Sequence, residues 1–161
     1  MLDPIIKRIE VPCSQKKAFN VFLNEMDSWW PMDKFTVSVM AGTKAARITV
    51  TPEVDGKIIE VSANGTEYYW GTIKKYNPFN GFSMRFHIPH PEHMPCPPDH
   101  AGGGETLVEV SFISLDASRT LVELKQSDFE ALGEMAEGVH GGYGFGWTMI
   151  FETAYKAACE A

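Results

Sequence analysis

The stretch that decides the fold is HGGYGFGWTMIFETAYKAACEA, residues 140–161. Its apolar residues recur at steps of three, four and seven, which is the spacing of one face of an α-helix. From about Tyr143 to the end, this pattern predicts a helix of ~18 residues and ~27 Å, long enough to cross a small domain. The residues of the apolar face are Tyr143, Trp147, Ile150, Phe151, Ala154 and Ala158.

Four glycines accompany the aromatic residues in the first turn of this predicted helix, at positions 141, 142, 144 and 146. Glycine costs up to ~1 kcal/mol per helical position, so we expect either close backbone packing or a loose hinge there. The helix is either a plain element of the core or also the wall of a cavity. No Lys-Ser/Thr pair follows the glycines, so they do not form a phosphate-binding loop.

Length and charge restrict the classes of partner. With 161 residues, we expect one domain over 1–161, large enough to bury a full core without disulfides or metals. The net charge is −7, and the lysines and arginines are scattered along the chain. Because a nucleic acid or an anionic membrane requires a basic patch, we expect neither as a partner.

The cysteines predict a reduced, cytoplasmic protein. Cys13, Cys96 and Cys159 are odd in number, widely spaced and without a CxxC motif, so they are expected to be free thiols. The N-terminal residues carry charge within their apolar stretch, which does not fit a signal peptide. No apolar run approaches the ~18 residues that a membrane span requires.

Between the termini, strand-like segments alternate with turn residues. In residues 107–112 and 120–126, apolar and polar residues alternate cleanly, which is typical of an antiparallel sheet covered on one face. The pattern predicts an α+β fold: one strand, two short helices, about six further antiparallel strands and a long C-terminal helix. The predicted strands are 5–11, 45–51, 57–62, 67–76, 82–88, 105–115 and 120–129, and the short helices lie at about 14–23 and 24–30.

Residues 86–100 contain four of the five histidines of the chain. Imidazole and thiolate are ligands that zinc and copper prefer, but the spacing matches no closed structural site, and five prolines keep the loop 89–104 extended. If 86–88 continues a strand, His87 points away from any cavity that Phe86 and Ile88 line. Either an adventitious metal or none is one interpretation, and a physiological site is the other. The candidate ligands are His87, His90, His93, Cys96 and His100.

Known catalytic motifs such as GxSxG, HExxH, GxGxxG and the P-loop are absent from the sequence. Three residues could act as an acid, base or oxyanion donor in an apolar cavity: Glu67, His140 and Tyr143. With Arg47, Glu60 and Gln126, they could equally be structural polar groups with satisfied hydrogen bonds.

An ordered set of short motifs covers nearly the whole chain: VPCSQKKAFNVF (11–22), WWP (29–31), PEVDG (52–56), GTEYYWG (65–71), YNPF (76–79), FEALG (129–133) and GYGFGW (142–147). This set resembles the SRPBCC superfamily, which includes START domains, birch-pollen allergens and polyketide cyclases. Within it, the set is similar to single-domain bacterial members of the heat-shock-protein-90 ATPase activator homologue-like family.

The resemblance implies a helix-grip fold, in which a curved antiparallel sheet of about six to seven strands surrounds the long C-terminal helix. It also implies an internal hydrophobic cavity for apolar, aromatic, lipid-like or polyketide-like molecules, without a cofactor. The sequence departs from the family at Asp55-Gly56-Lys57, where a Gly-Gly-Arg turn is expected, and at Phe86 or His87, where a tryptophan is expected. These departures affect the cavity and its rim.

Three functions are compatible with this resemblance. The first is a small-molecule binding protein, the second a cyclase-, aromatase- or hydrolase-like enzyme, and the third a chaperone-associated interaction domain in the stress response. The sequence leaves a homodimer open. The residues expected to line the cavity are Trp29, Trp30, Phe35, Trp70, Phe86, Phe112, Gln126, Phe129, Tyr143, Trp147, Ile150 and Phe151.

Overall fold

Seven antiparallel strands form one curved sheet in the computed structural model, which describes residues 2–88 and 105–161. The order across the sheet is β1-β7-β6-β5-β4-β3-β2, so the first strand pairs with the last. The strands are β1 (Ile5–Val11), β2 (Ala45–Val50), β3 (Lys57–Ser62), β4 (Glu67–Asn77), β5 (Gly81–Phe86), β6 (Thr106–Asp116) and β7 (Arg119–Ser127).

The alternation in the sequence decides which face of the sheet is buried. Val108, Val110 and Phe112 of β6 are buried, whereas Ser111 between them is exposed. In β7, Val122 and Leu124 are completely buried. Because neighbouring antiparallel strands present paired residues to the same face, these side chains form one continuous apolar surface.

Three short helices connect β1 to β2, where the sequence predicted two. Helix α1 (Gln15–Asn24) begins at Ser14, whose hydroxyl accepts a hydrogen bond of 3.2 Å from the amide of Lys17, as expected of an N-cap. Helix α2 (Met26–Trp29) follows directly. Helix α3 (Val37–Met40) was not predicted, because four residues are too few to show a periodicity.

The C-terminal helix begins earlier than predicted and changes its pitch. A 3₁₀ segment (Phe129–Met135) leads into α4 (Ala136–Met149), a π-helical segment (Ile150–Tyr155) and α5 (Lys156–Glu160). The glycines expected before or at the helix start therefore lie inside α4. The wider π-helical turn also shifts the buried face by one residue, so that Tyr155 and Cys159 are buried where Ala154 and Ala158 were predicted.

An aromatic core fills the space between the helices and the sheet. Phe19 and Phe22 of α1 contact Phe82 and Phe112 of the sheet, with ring centroids 5.3–6.2 Å apart. The hydroxyl of Tyr155 donates a hydrogen bond of 2.7 Å to the carbonyl of Ala18, which joins the C-terminal helix to α1. This arrangement confirms the predicted α+β helix-grip fold.

Within residues 2–88 and 105–161, none of the helices combines the length and the apolar character that a membrane crossing requires.

Candidate functional site

A largely apolar pocket of about 270 Å³ opens beside the C-terminal helix. Three parts of the chain meet there: α4 with the start of the π-helical segment, the residues around α3, and the two residues that follow β5. The lining residues are Lys34, Phe35, Thr36, Met40, His87, Ile88, Val139, Gly142, Tyr143, Gly146 and Ile150.

Two glycines of α4 leave the space that the pocket occupies. Gly142 and Gly146 are four residues apart and therefore lie on the same side of the helix. A Cβ atom at Gly142 would meet no atom within 4 Å, and one at Gly146 would lie 3.8 Å from Ile150 Cδ1 and 3.9 Å from Phe35 Cε1. Larger side chains at these two positions would occupy the pocket.

A buried carboxylate holds the wall that faces α4. Glu60 of β3 is completely buried, and its carboxylate accepts hydrogen bonds from the amides of Val37 and Ser38 at 2.8 and 2.6 Å. It also accepts from the Ser38 hydroxyl and, at 2.9 Å, from the indole N–H of Trp70. Since the first two donors are amides of α3, Glu60 attaches this short helix to the sheet.

A second hydrogen bond holds the turn that precedes α3. The indole N–H of Trp30 donates to the carbonyl of Phe35 at 2.8 Å. The amides of Lys34 and Phe35 both donate to the carbonyl of Pro31, at 3.2 and 3.1 Å. The backbone of this part of the pocket is therefore held by partners inside the protein, whether or not a ligand is bound.

Tyr143 joins α4 to the end of β5. Its hydroxyl accepts a hydrogen bond of 2.9 Å from the amide of Ile88 and lies 3.2 Å from His87 Nδ1. Burial raises the pKa of Tyr143 above its ordinary value, so the phenol stays protonated well into the alkaline range. The condition under which His87 would point away from the cavity is not met, because β5 ends at Phe86 and strand alternation does not extend to His87. His87 and Ile88 both line the pocket.

The residues predicted to line a cavity divide into two groups. Phe35, Tyr143 and Ile150 line the pocket. The other nine lie in the core and are at most 7 % exposed: Trp29, Trp30, Trp70, Phe86, Phe112, Gln126, Phe129, Trp147 and Phe151. Five of them form one cluster of aromatic rings in contact, namely Trp29, Trp30, Trp70, Phe86 and Trp147. Their contact with a ligand stays a prediction.

Gln126 is an example of a buried polar side chain whose hydrogen bonds are formed inside the core. Its side-chain oxygen accepts a hydrogen bond of 2.7 Å from the indole of Trp147, and its amide nitrogen donates to the Thr106 hydroxyl at 2.8 Å. That hydroxyl in turn donates to the carbonyl of Phe86 at 2.7 Å. Among the described residues, every buried side-chain nitrogen and oxygen has a hydrogen-bond partner.

The three candidate catalytic residues do not meet in one pocket. Glu67 is exposed at the start of β4. His140 lies near the N-terminal segment, with Nε2 2.8 Å from the carbonyl oxygen of Asp3 and its ring 4.7 Å from that of Phe129. Only Tyr143 of the three lines the pocket.

Most of the candidate metal ligands lie outside the described residues, namely His90, His93, Cys96 and His100. His87 is described, and its ring packs against Tyr143 with centroids 6.2 Å apart. In the part of the chain that the structure describes, no group of three or more His, Cys, Asp or Glu side chains could hold a metal ion.

Several lining residues were missed because their sequence signals are weak. Gly142 and Gly146 belong to the glycine cluster of the sequence, and their spacing of four places them on one side of a helix. Met40 and Thr36 belong to the short helix α3 and its N-cap, for which the sequence has no periodic signal. Lys34, Ile88 and Val139 have no local pattern that separates them from ordinary surface residues.

Comparison with known proteins supports the fold. No family model matches the chain, and no curated protein sequence matches it. The chain is similar to an anthrahydroquino-γ-pyrone synthase, Txn09, solved in complex with a ligand designated SUM. The two are 25 % identical with a TM-score of 0.66, over 98 % of this chain and 97 % of the synthase.

Two further structures share the fold at lower identity. One is the self-sacrificing resistance protein CalC from Micromonospora echinospora, 20 % identical with a TM-score of 0.65, over 97 % of this chain and 93 % of CalC. The other is an HSP90 activator from Plasmodium falciparum, 15 % identical with a TM-score of 0.50, over 91 % and 93 % of the respective chains. The chain thus has an SRPBCC-like fold, as its sequence motifs implied.

Proposed function

We propose that this protein binds a small apolar, aromatic molecule in the pocket beside α4. The observation that carries the proposal is the pocket itself. Apolar and aromatic side chains form its wall, and the absence of side chains at Gly142 and Gly146 leaves room for a ligand. Its volume of about 270 Å³ is near the lower end of small-molecule sites, which start at roughly 300 Å³. A flat molecule of two or three rings is the class of ligand that fits.

Two findings support this proposal. The wall is preorganised by Glu60 and Trp30, so that binding does not have to order the segment around α3. In addition, the similar synthase Txn09 is named for a compound with fused aromatic rings, which is the same chemical class.

The test uses N-phenyl-1-naphthylamine, a neutral aromatic probe whose fluorescence rises in apolar surroundings. We expect one site per chain, and we expect Gly142→Phe to weaken binding at least tenfold because the ring occupies the pocket. Gly141→Phe is the matched control, since Gly141 is also exposed and open around its Cβ but does not line the pocket. Far-UV circular dichroism and the melting temperature would establish that both variants are folded.

Two results would overturn the proposal. One is no binding of the neutral probe to the wild-type protein; the other is equal binding to the Gly141→Phe and Gly142→Phe variants, which would place the probe elsewhere.

The enzyme alternative has the similarity to a synthase in its favour. Proton transfer beside a carbonyl, however, requires at least two of Glu67, His140 and Tyr143 in one pocket, and the three are separated in the structure. Tyr143 is also held protonated, with its oxygen already bonded to the amide of Ile88. The chaperone alternative depends on a shared fold with an HSP90 activator, and a fold by itself does not define a function.

A further inference from the structure

Among the residues that the structure describes, the rim of the pocket carries one permanent charge. Apart from the titratable imidazole of His87, Lys34 is the charged residue of the lining, and its side chain is exposed. Within residues 2–88 and 105–161, the ion pairs formed by lysines are Lys7–Glu152 and Lys74–Asp55, and Lys34 has no such partner. With respect to the described part of the chain, the ammonium at the edge of this apolar site therefore has no carboxylate partner.

This charge is unusual for its surroundings. The chain has a net charge of −7, yet among residues 2–88 and 105–161 no carboxylate belongs to the lining of the pocket. The adjacent Asp33 is exposed, does not line the pocket and forms no ion pair with Lys34. A single positive charge beside low-dielectric walls attracts the anionic end of a ligand more strongly than the same charge on an open surface.

The position of Lys34 is also well defined at the level of the backbone. Its own amide and that of Phe35 bond to Pro31, and the carbonyl of Phe35 accepts from Trp30. The backbone from which the ammonium extends is thus fixed relative to Phe35, which forms the apolar wall next to it. Charge and apolar surface are presented together to one bound molecule.

We propose, building on the ligand-binding function above, that the pocket takes an amphiphilic acid: an apolar aromatic body with a carboxylate or sulfonate, for which Lys34 is the counter-ion. Lys34 then determines specificity between charged and neutral ligands of the same shape, whereas the apolar wall provides binding to both.

The experiment compares two probes with the same ring system. N-phenyl-1-naphthylamine is neutral, and 1-anilinonaphthalene-8-sulfonate carries one negative charge. At low ionic strength we expect Lys34→Gln to weaken sulfonate binding about two- to fivefold, the range for an exposed ion pair, and Lys34→Glu to weaken it further. Binding of the neutral probe should change less than 1.5-fold in both variants. Added salt should weaken sulfonate binding to the wild type but not to Lys34→Gln.

Lys44→Gln is the matched control. Lys44 is exposed, has no ion pair among the described residues and does not line the pocket, so its removal changes the net charge by the same amount without effect on either probe. Gly142→Phe should weaken binding of both probes at least tenfold, which would assign them to the same site.

The outcomes separate the two proposals. If the neutral probe binds in the pocket but Lys34→Gln leaves sulfonate binding unchanged, or weakens both probes equally, the role of Lys34 is overturned and the proposed function stands. An equal effect of Lys44→Gln would also overturn it, because net charge alone would then explain the result. If neither probe binds the wild-type protein, both proposals fail.

Discussion

At the level of single residues, the carboxylate of Glu60 organises the wall of the pocket without lining it. Its two oxygens accept hydrogen bonds from the amides of Val37 and Ser38 in α3 and from the indole of Trp70 in β4. The carboxylate can only accept hydrogen bonds, and here it faces donors alone. An amide in its place would direct an NH₂ group at one of these donors.

We expect Glu60→Gln to lower the free energy of unfolding by about 2–4 kcal/mol, because it leaves buried donors unpaired and places two donors face to face. Urea denaturation followed by tryptophan fluorescence would measure the change. The control is Glu67→Gln in the neighbouring strand β4, which removes an exposed carboxylate. It should change the free energy of unfolding by less than about 0.5 kcal/mol. Equal effects at the two positions would contradict the role given to Glu60.

At the level of the element, α4 contains five glycines that packing does not require. A Cβ atom at Gly138, Gly141, Gly142 or Gly144 would meet nothing within 4 Å, and at Gly146 it would make ordinary contacts. The expectation of close backbone packing at these glycines is therefore wrong. What remains is a helix with a weak intrinsic tendency to stay helical next to the pocket. We propose that this weakness lets α4 open and admit the ligand.

Replacing glycine by alanine tests this proposal. Gly141→Ala and Gly144→Ala should each raise the free energy of unfolding by about 0.5–1 kcal/mol, because alanine fits the helix and restricts the unfolded chain. Together they should slow the association of the neutral probe in stopped-flow fluorescence. Unchanged association with raised stability would show that α4 is not the gate.

Gly133, in the 3₁₀ segment before α4, is a control for which the opposite change in stability is expected. It has φ of 63° and ψ of −128°, a conformation that alanine adopts only under strain. Gly133→Ala should therefore lower stability by about 1–3 kcal/mol in the same urea titration. All three substitutions replace glycine by alanine. The sign of the change in the free energy of unfolding therefore depends on the local backbone conformation and on the space around it.

At the level of the whole molecule, closure of the C-terminal helix onto β1 and α1 buries several weak acids. Burial raises the pKa of Cys159 to about 12 and also raises that of Cys13. The pKa of Tyr155, whose hydroxyl bonds to Ala18, is raised for the same reason. There is therefore a range of alkaline pH in which these groups are neutral in the folded protein but ionised in the unfolded chain.

A loss of stability in alkaline solution follows from these pKa values. Between the ordinary thiol value of about 9 and the value of about 12 in the fold, the folded state holds more protons than the unfolded state. The contribution of these groups to the free energy of unfolding should thus be constant below about pH 8.5 and fall as the pH rises above about 9. Urea titrations at pH 8 and pH 10 would measure it.

The variant Cys159→Ala isolates one thiol. Between pH 8 and pH 10, the free energy of unfolding of this variant should fall by about 1 kcal/mol less than that of the wild type. The reason is that one group with a raised pKa is missing. Any cost of the smaller side chain is the same at both pH values. A loss equal to that of the wild type would exclude Cys159 as a contributor.

The fold follows from signals that are local in the sequence. Three local patterns show which residues of a short stretch are to be buried: the two-residue alternation in β6 and β7, the turn residues between strands, and the apolar face around Trp147. The sheet and the C-terminal helix are the structures that bury these residues. The N-cap at Ser14 is local in the same sense. The helix start was misplaced because glycine-rich sequence lowers helical propensity, whereas packing of Trp147 and Ile150 stabilises α4 nevertheless.

The pocket, in contrast, is a property of the tertiary structure. Lys34, Ile88 and Gly142 come from three separate parts of the chain and have no sequence relation to one another. An aromatic residue looks the same in the sequence whether it fills a core, as Trp70 does, or borders a space, as Phe35 does. The sequence by itself determined the α+β architecture and the inward faces of its elements. Only the tertiary structure decided which side chains leave room for a ligand, because empty volume depends on how distant segments meet.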